Sequence, residues 1–405
     1  MTSICLFFQA HQPFRIKPYD FFQIGEEQDY FDHDFNKSAL NNVCERSYIP
    51  TLKMFKKLHL ETEGQFSFGL GISGSLLLQL EKHRPDVLTL FQEVVADGIA
   101  VLSGGTFSNS LATFFSAQEA ARQILQHRKI LSRLFEQRPT NFANTELIYR
   151  DDAVEMIHSL GYQSILAEGV PHYLEYRSPN YLYHTVTKEE VKLLLRNGSL
   201  SDDLGLRFSN QSWNEFPLTA EKFLDWCRND EAPLLNLFNN IEAIGHYHGA
   251  ETGVFNFWEA LIKQAHSAGI VIESPSQATT RHTSQESYSS IKHSSWADEE
   301  KDKSAWQANV MQQEASQKLF RLEQNVLASH NEELIHSWTL LQSADNFMHI
   351  STKENAAGAF HNRFNPHEDP YTTYSYFMNI LADLQLRSRV EMARYLAKEV
   401  KGLNL

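Results

Sequence analysis

The sequence predicts an α/β fold: a mostly parallel sheet with crossover helices over residues 1–273, followed by a helical module. Three observations carry this. Short apolar runs alternate with amphipathic stretches of helix length. The first run, Ile4 to Ala10, is apolar almost throughout, as a strand covered on both faces requires. Polar residues follow each run directly, where enzymes built on parallel strands place their pockets.

The elements follow in chain order. Pro13 forces the chain out of the first strand, so His11 and Gln12 sit at its carboxyl end. Gln65 to Ile72 is a second strand, with a Gly-Ser turn and the helix Leu76 to Leu80 behind it. Pro85 fits the first turn of a further helix, which Gly98 ends. Ile99 to Leu102 is a third strand, and Ser116 with Glu119 forms a capping box for a helix through Phe135. A short strand then leads to Asn144-Thr145-Glu146-Leu147, and a helix runs from Ala153 to Leu160. Gln163 to Ala167 and Tyr181 to Val186 are strand-like, and Thr187 with Glu190 caps a predicted helix that stops at Asn197-Gly198. Ala220 to Cys227 is helical, Pro233 to Phe238 is a strand ending in Asn239-Asn240, and Gly253 to Ala268 is an amphipathic helix before the strand Ile270 to Ile272.

Composition then shifts. Ser274 to Ser295, rich in Ser, Thr and His, reads as a surface loop, and residues 296–405 as a helical domain. In that domain Lys303 to Ser343 is helical and Gly358 to Pro370 a loop. Asp369 with Pro370 starts a helix to about Leu386, and a last helix carries Val390, Met392, Tyr395, Leu396 and Val400.

Composition narrows the function. A chain of 405 residues with net charge −14 is a poor partner for nucleic acid, whose affinity comes from neutralising phosphates. No stretch approaches the ~20 apolar residues of a membrane span, and the start reads as a strand rather than a signal peptide. Cys5, Cys44 and Cys227 are widely spaced, which points to free thiols and a cytoplasmic setting. No cofactor or metal is expected. His246-Tyr247-His248 supplies two histidines without a third ligand at recognisable spacing, and hydrogen-bonded loop histidines are the simpler reading. Trp306 is balanced between stacking on a sugar and packing in a core.

At His11-Gln12-Pro13, Asn144-Thr145-Glu146-Leu147 and Asn236 to Phe255 the chain resembles glycoside hydrolase family 57, in its alpha-amylase-like branch. Trp296-Ala297-Asp298-Glu299, Ser304-Ala305-Trp306 and Leu340-Leu341-Gln342-Ser343 extend the likeness. The resemblance implies an incomplete seven-stranded (β/α)7 barrel followed by a C-terminal helical bundle. It also implies retaining chemistry on alpha-glucans, which needs two carboxyl groups about 5–5.5 Å apart.

By that resemblance Glu146 matches the nucleophile, and His11, Gln12, Asn109, Glu242, Trp306 and Asp345 fall at substrate-binding positions. The general acid, an Asp in the family, falls on Asn240; a register slip back by one gives Asn239, also an amide. Asn109 and Asn346 replace two histidines of the family pattern. An amide cannot protonate a leaving oxygen. The resemblance therefore implies an alpha-glucan or maltooligosaccharide binder with little or no hydrolytic activity, a pseudoenzyme. The alternatives are an active amylase or glucanotransferase using another acid such as Glu242, and a structural protein with a decayed pocket.

Overall fold

The computed structural model describes residues 2–229, 232–353, 365–367 and 369–402. The chain forms two compact units. One comprises Met1–Gln12, Lys37–Gly105 and Ile124–Trp296; the other comprises Pro13–Asn36, Thr106–Gln123 and Ala297–Leu405.

The first unit is built on a curled sheet. Its strands are β1 (Ser3–Ala10), β2 (Phe68–Ile72), β3 (Ala100–Gly104), β4 (Asn141–Ala143), β5 (Ser164–Glu168), β6 (Leu182–Thr185), β7 (Lys192–Arg196) and β8 (Leu234–Asn240). β9 (Ile244–Gly245) and β10 (His248–Gly249) form a separate short ladder, and β11 (Val271–Glu273) and β12 (Ser287–Tyr288) complete the large sheet. β1 is its centre. It pairs in parallel with β8 from Ser3↔Leu234 to Gln9↔Asn240, and with β2 from Phe7↔Gly69 to Ala10↔Ile72. β2, β3, β4, β5 and β7 follow in parallel order, and β6 runs antiparallel to β7.

Seven strands thus curl from β8 round to β7, which is the incomplete barrel that the family resemblance implies. Among the described residues no strand ladder joins β7 to β8, and hydrogen bonds span the seam. The Asn197 N–H donates to Asn236 O (2.9 Å), Asn236 Nδ2 to Leu195 O (2.9 Å) and Arg196 Nε to Phe238 O (2.9 Å). The interior is filled by Cys5, Phe7, Ala143, Leu147, Leu166, Leu194, Leu234 and Phe238, with Ala278 buried among them. Gln9 continues the inward row of β1. Its Oε1 occupies the space over Gly71, where an added Cβ would lie only 2.1 Å away.

Three expectations are corrected here. The helix predicted up to Asn197 is the strand β7: Leu193, Leu194 and Leu195 are all buried, so both faces of the run are covered and helical periodicity has no exposed side to serve. The surface loop expected over 274–295 contains a helix, Pro275–Arg281, and β12. Ser274 and Gln277 form that helix's capping box, and Asn141 Nδ2 reaches Ser276 Oγ at 2.6 Å. The third correction lies in the second unit, where the two closing helices are one, Pro370–Gly402. Helices His33–Val43 and Ile49–Glu61 fill a stretch to which sequence patterning assigns no element.

The second unit carries the C-terminal helices Ser304–Gln307, Val310–Arg321, Glu323–Ala328, Glu332–Leu341 and Ala344–Met348, packed with Pro370–Gly402. Asp369 caps the long helix as expected, accepting from the Tyr371 and Thr372 N–H groups at 2.8 and 2.9 Å. Most of the loop expected at 358–370 lies outside the described residues. Asp383, fully buried on the long helix, accepts from Tyr30 Oη (2.6 Å), the Gly25 N–H (2.6 Å) and Arg387 Nε (2.6 Å). Among the described residues no helix is long and apolar enough to cross a membrane.

Candidate active site

The carboxyl end of β4 turns sharply. Glu146 (φ 48°, ψ 33°) and Leu147 (φ 51°) both take left-handed backbone, which costs a non-glycine residue roughly 1–2 kcal/mol. Local bonds hold the turn. The Leu147 N–H donates to Asn144 O (3.0 Å), the Ile148 N–H to Thr145 O (2.9 Å), and Asn144 Nδ2 to Ile148 O (2.9 Å). Leu147 itself is buried in the barrel interior, so the strained pair is anchored by apolar packing.

A second segment runs alongside. Tyr149 and Ser294 exchange backbone bonds at 3.0 and 2.9 Å, and the Asp151 N–H donates to Ser290 O at 3.1 Å. Ser290 and Ser294 are fully buried, so this end of the expected surface loop is a brace for the Glu146 turn. Trp296 closes the brace. Its N–H donates to Glu146 O (3.1 Å) and its indole Nε1 to Glu146 Oε2 (2.5 Å). Over the indole lies the Arg196 guanidinium, 5.4 Å from the ring centroid. Arg196 is buried and pairs with Glu168 (3.1 Å) and Asp202. Burial opposes its charge, but the two carboxylates outweigh that and raise its pKa.

The end of β8 is different. Asn240 is its last residue, paired with Gln9 and half-buried. By strand alternation it shares the inward face with Phe238. Asn239 points the other way and is buried against Gly205; its amide nitrogen, in the orientation that satisfies both atoms, donates to Phe238 O (3.2 Å) and Ser201 O (3.0 Å).

Glu242 is 2% exposed, and two donors converge on its Oε1: Tyr48 Oη at 2.5 Å and the His11 N–H at 3.1 Å. Burial raises its pKa, and those two bonds oppose the rise. His11 Nδ1 bonds Ser73 Oγ (2.7 Å), the hydroxyl that also caps helix Gly74–His83. Gln12 is buried, its carbonyl accepting from Gln79 Nε2 at 3.0 Å.

Of the predicted residues, the first unit therefore gathers His11, Gln12, Glu146, Asn240 and Glu242 at the carboxyl ends of its strands. The other three belong to the second unit. Asn109 is buried with left-handed backbone (φ 56°) and accepts the Ala344 N–H at 2.9 Å, next to Asp345. Ser343 Oγ donates to Asp345 Oδ2 at 2.7 Å. Trp306 is fully buried, its ring centroid 5.9 Å from that of Phe114, so the packing reading describes it and no face is offered to a sugar.

Sequence reasoning missed Arg196, Tyr48 and the hydrogen-bonding role of Trp296. An Arg directly after a triple-Leu run was the available signal for Arg196, hidden by the helix assignment. His248 has both ring nitrogens engaged, by Ser209 Oγ (2.8 Å) and Gly205 O (3.0 Å). Among the described residues no group of three or more His, Cys, Asp or Glu side chains is placed to hold a metal ion.

Comparison with known proteins places this architecture. The model of glycosyl hydrolase family 57 matches residues 5–291. A protein of Methanocaldococcus jannaschii described as "Putative alpha-amylase" is 33% identical over 395 residues, covering 93% of this chain and 83% of its own. Among solved structures, the GH57-type branching enzyme of Pyrococcus horikoshii superposes with a TM-score of 0.67 at 13% identity, over 90% of this chain and 88% of that one. The alpha-amylase AmyC of Thermotoga maritima gives 0.62 at 13% identity, over 97% and 96%. The 4-alpha-glucanotransferase of Thermococcus litoralis gives 0.64 at 13% identity over 85% of this chain, which spans only 56% of that enzyme. These structural likenesses show a shared fold. The family match covers well over half of the chain, and the chain belongs to glycosyl hydrolase family 57.

Proposed function

We propose that this family member binds alpha-glucans or maltooligosaccharides and hydrolyses them very slowly or not at all. The observation that carries this is the amide at Asn240, on the inward face at the end of β8. Glu146, at the nucleophile position, keeps a defined and braced geometry. Asn240 can hydrogen-bond a glycosidic oxygen but has no proton to give it near neutral pH. Losing a general acid costs about 10²–10⁴ in rate. Glu242 is a poor substitute, being buried and turned to Tyr48 and the His11 backbone. Within the first unit His11 and Gln12 are the proposed sugar-binding groups, and within the second unit Asn109 and Asp345 carry the same proposal; a cytoplasmic site of action fits three buried cysteines that form no disulfide.

The test separates binding from chemistry. With α-D-glucosyl fluoride, a Glu146 oxygen bonds C1 as fluoride leaves with the bonding electron pair, and no proton is needed. The protein is expected to accumulate a covalent glucosyl adduct on Glu146, seen by intact mass, and to bind maltoheptaose in calorimetry while leaving amylose uncut. Brisk amylose hydrolysis by the unaltered protein sinks the proposal; neither adduct nor binding leaves only a structural role.

A further inference from the structure

We propose that Trp296 and Arg196 are positioning residues that set the direction of the Glu146 carboxylate. This rests on the reading of Glu146 as the sugar-facing carboxylate. A glutamate on a left-handed turn has three rotatable side-chain bonds, and the turn's backbone bonds fix none of them. Trp296 holds the residue at two points, the carbonyl and Oε2. The indole is itself fixed, by its own main-chain bond to Glu146 O on one side and the Arg196 guanidinium on the other.

Arg196 has little freedom. Its Nη1 meets Glu168 at the end of β5, its Nη2 meets Asp202, and its Nε donates to Phe238 O on β8. A planar five-donor fork can satisfy three acceptors and still present a flat face to an indole; a lysine ammonium cannot. The result is a rigid stack that ties the ends of β5, β7 and β8 to the carboxylate beyond β4. Arg196 also holds Phe238, two residues before Asn240. One buried guanidinium thus references both functional strand ends to the same frame.

Two variants test this without emptying the core. Trp296→Phe keeps an aromatic ring under Arg196 and removes the indole donor at the cost of a smaller ring. Arg196→Lys keeps a charge for Glu168 and removes the flat fork; Arg196→Met with Glu168→Gln and Asp202→Asn is the neutral alternative if the lysine variant fails to fold. Trp296→Phe is expected to slow adduct formation from α-D-glucosyl fluoride by roughly 10- to 100-fold, the scale on which misplaced reacting groups lose rate, with maltoheptaose affinity unchanged. A merely structural role would lower both together.

Independently of any chemistry, the Trp296 indole N–H resonance is expected to move in Glu146→Gln and again in Arg196→Lys, with faster hydrogen exchange. Labelling of Trp296→Phe at the unaltered rate overturns the proposal, as does an indole resonance that Arg196→Lys leaves in place. If the unaltered protein forms no adduct, the reading of Glu146 falls by that result, and the positioning contact is then decided by the resonance alone.

Discussion

The carboxyl ends of β4 and β8 carry Glu146 and Asn240, the two positions of the proposed chemistry, and they are held in different ways. Glu146 is clamped by backbone bonds, a neighbouring segment and an indole backed by a buried ion-pair cluster. Asn240 is one half-buried side chain at the edge of the barrel interior. The clamp also closes the β7–β8 seam, so it cannot be lost without cost to the fold. The Asn240 side chain is not part of that clamp. On the proposed reading, Asn in place of Asp keeps nearly the same shape while withholding the proton. The contrast then accounts for a site that keeps its frame without the acid half of its chemistry.

The strongest way to break that comparison is to place an acid at position 240. Asn240→Asp is expected to raise amylose hydrolysis by about 10²–10⁴, read as reducing ends released over time. Adding Glu146→Gln should abolish the gain. If Asn240→Asp gives no gain while the protein still forms the Glu146 adduct, then the acid is not all that is missing. The amides at Asn109 and Asn346, which the resemblance sets against histidines, become the next positions to examine.

Much of this was legible in the sequence. β1 and β8 announced themselves as apolar runs that end in polar residues, and His11, Glu146 and Asn240 fall at strand ends as read. What was not legible has physical causes. β7 carries Leu193, Leu194 and Leu195 buried together, and a continuous apolar run has neither a strand's nor a helix's period. In the 290–296 brace the bonds to Tyr149 and Asp151 run largely through the backbone of Ser290 and Ser294, so composition made it look solvated. Trp296 was visible as an aromatic, but a long-range partner such as Glu146 leaves no local pattern. Likewise nothing local marks Asp383 as the anchor for Tyr30 and Gly25.

A second pair of strand ends, those of β2 and β3, sharpens the contrast, because neutrality is what holds it. His127 Nδ1 accepts the Gly105 N–H (3.0 Å), just past β3, and its Nε2 donates to Ile72 O (2.7 Å), the end of β2. Burial lowers its pKa from 6.5 to about 4. A proton on Nδ1 would confront the Gly105 donor. The unfolded chain takes up that proton near pH 6.5 and the folded chain refuses it until about 4. The associated stability is thus complete above pH 6.5 and is lost as pH falls toward 4, by about 3 kcal/mol. Urea unfolding at pH 7.5 and pH 4.5 should show a larger loss for the unaltered protein than for His127→Gln; carboxylates titrate in both and cancel. Equal losses would mean the imidazole charges freely in place, and the β2–β3 end would then be looser than the β4 end.

The smallest effect bears on the turn itself. Glu146 sits at φ 48° although it is not glycine. Replacing it by Ala and by Gly removes the same carboxylate and the same indole contact, so the difference between the two variants reports the backbone. Ala in left-handed conformation costs roughly 1–2 kcal/mol, and Gly loses about 0.4–1 kcal/mol more entropy on folding. Glu146→Gly should therefore be the more stable of the two by up to about 1.6 kcal/mol, measured as the shift in denaturant midpoint at constant slope. Glu146→Ala equal to or more stable than Glu146→Gly would mean that the turn relaxes once the carboxylate is gone. In that case the Trp296 contact, and not the packing of Leu147, is what keeps the chain left-handed at this strand end.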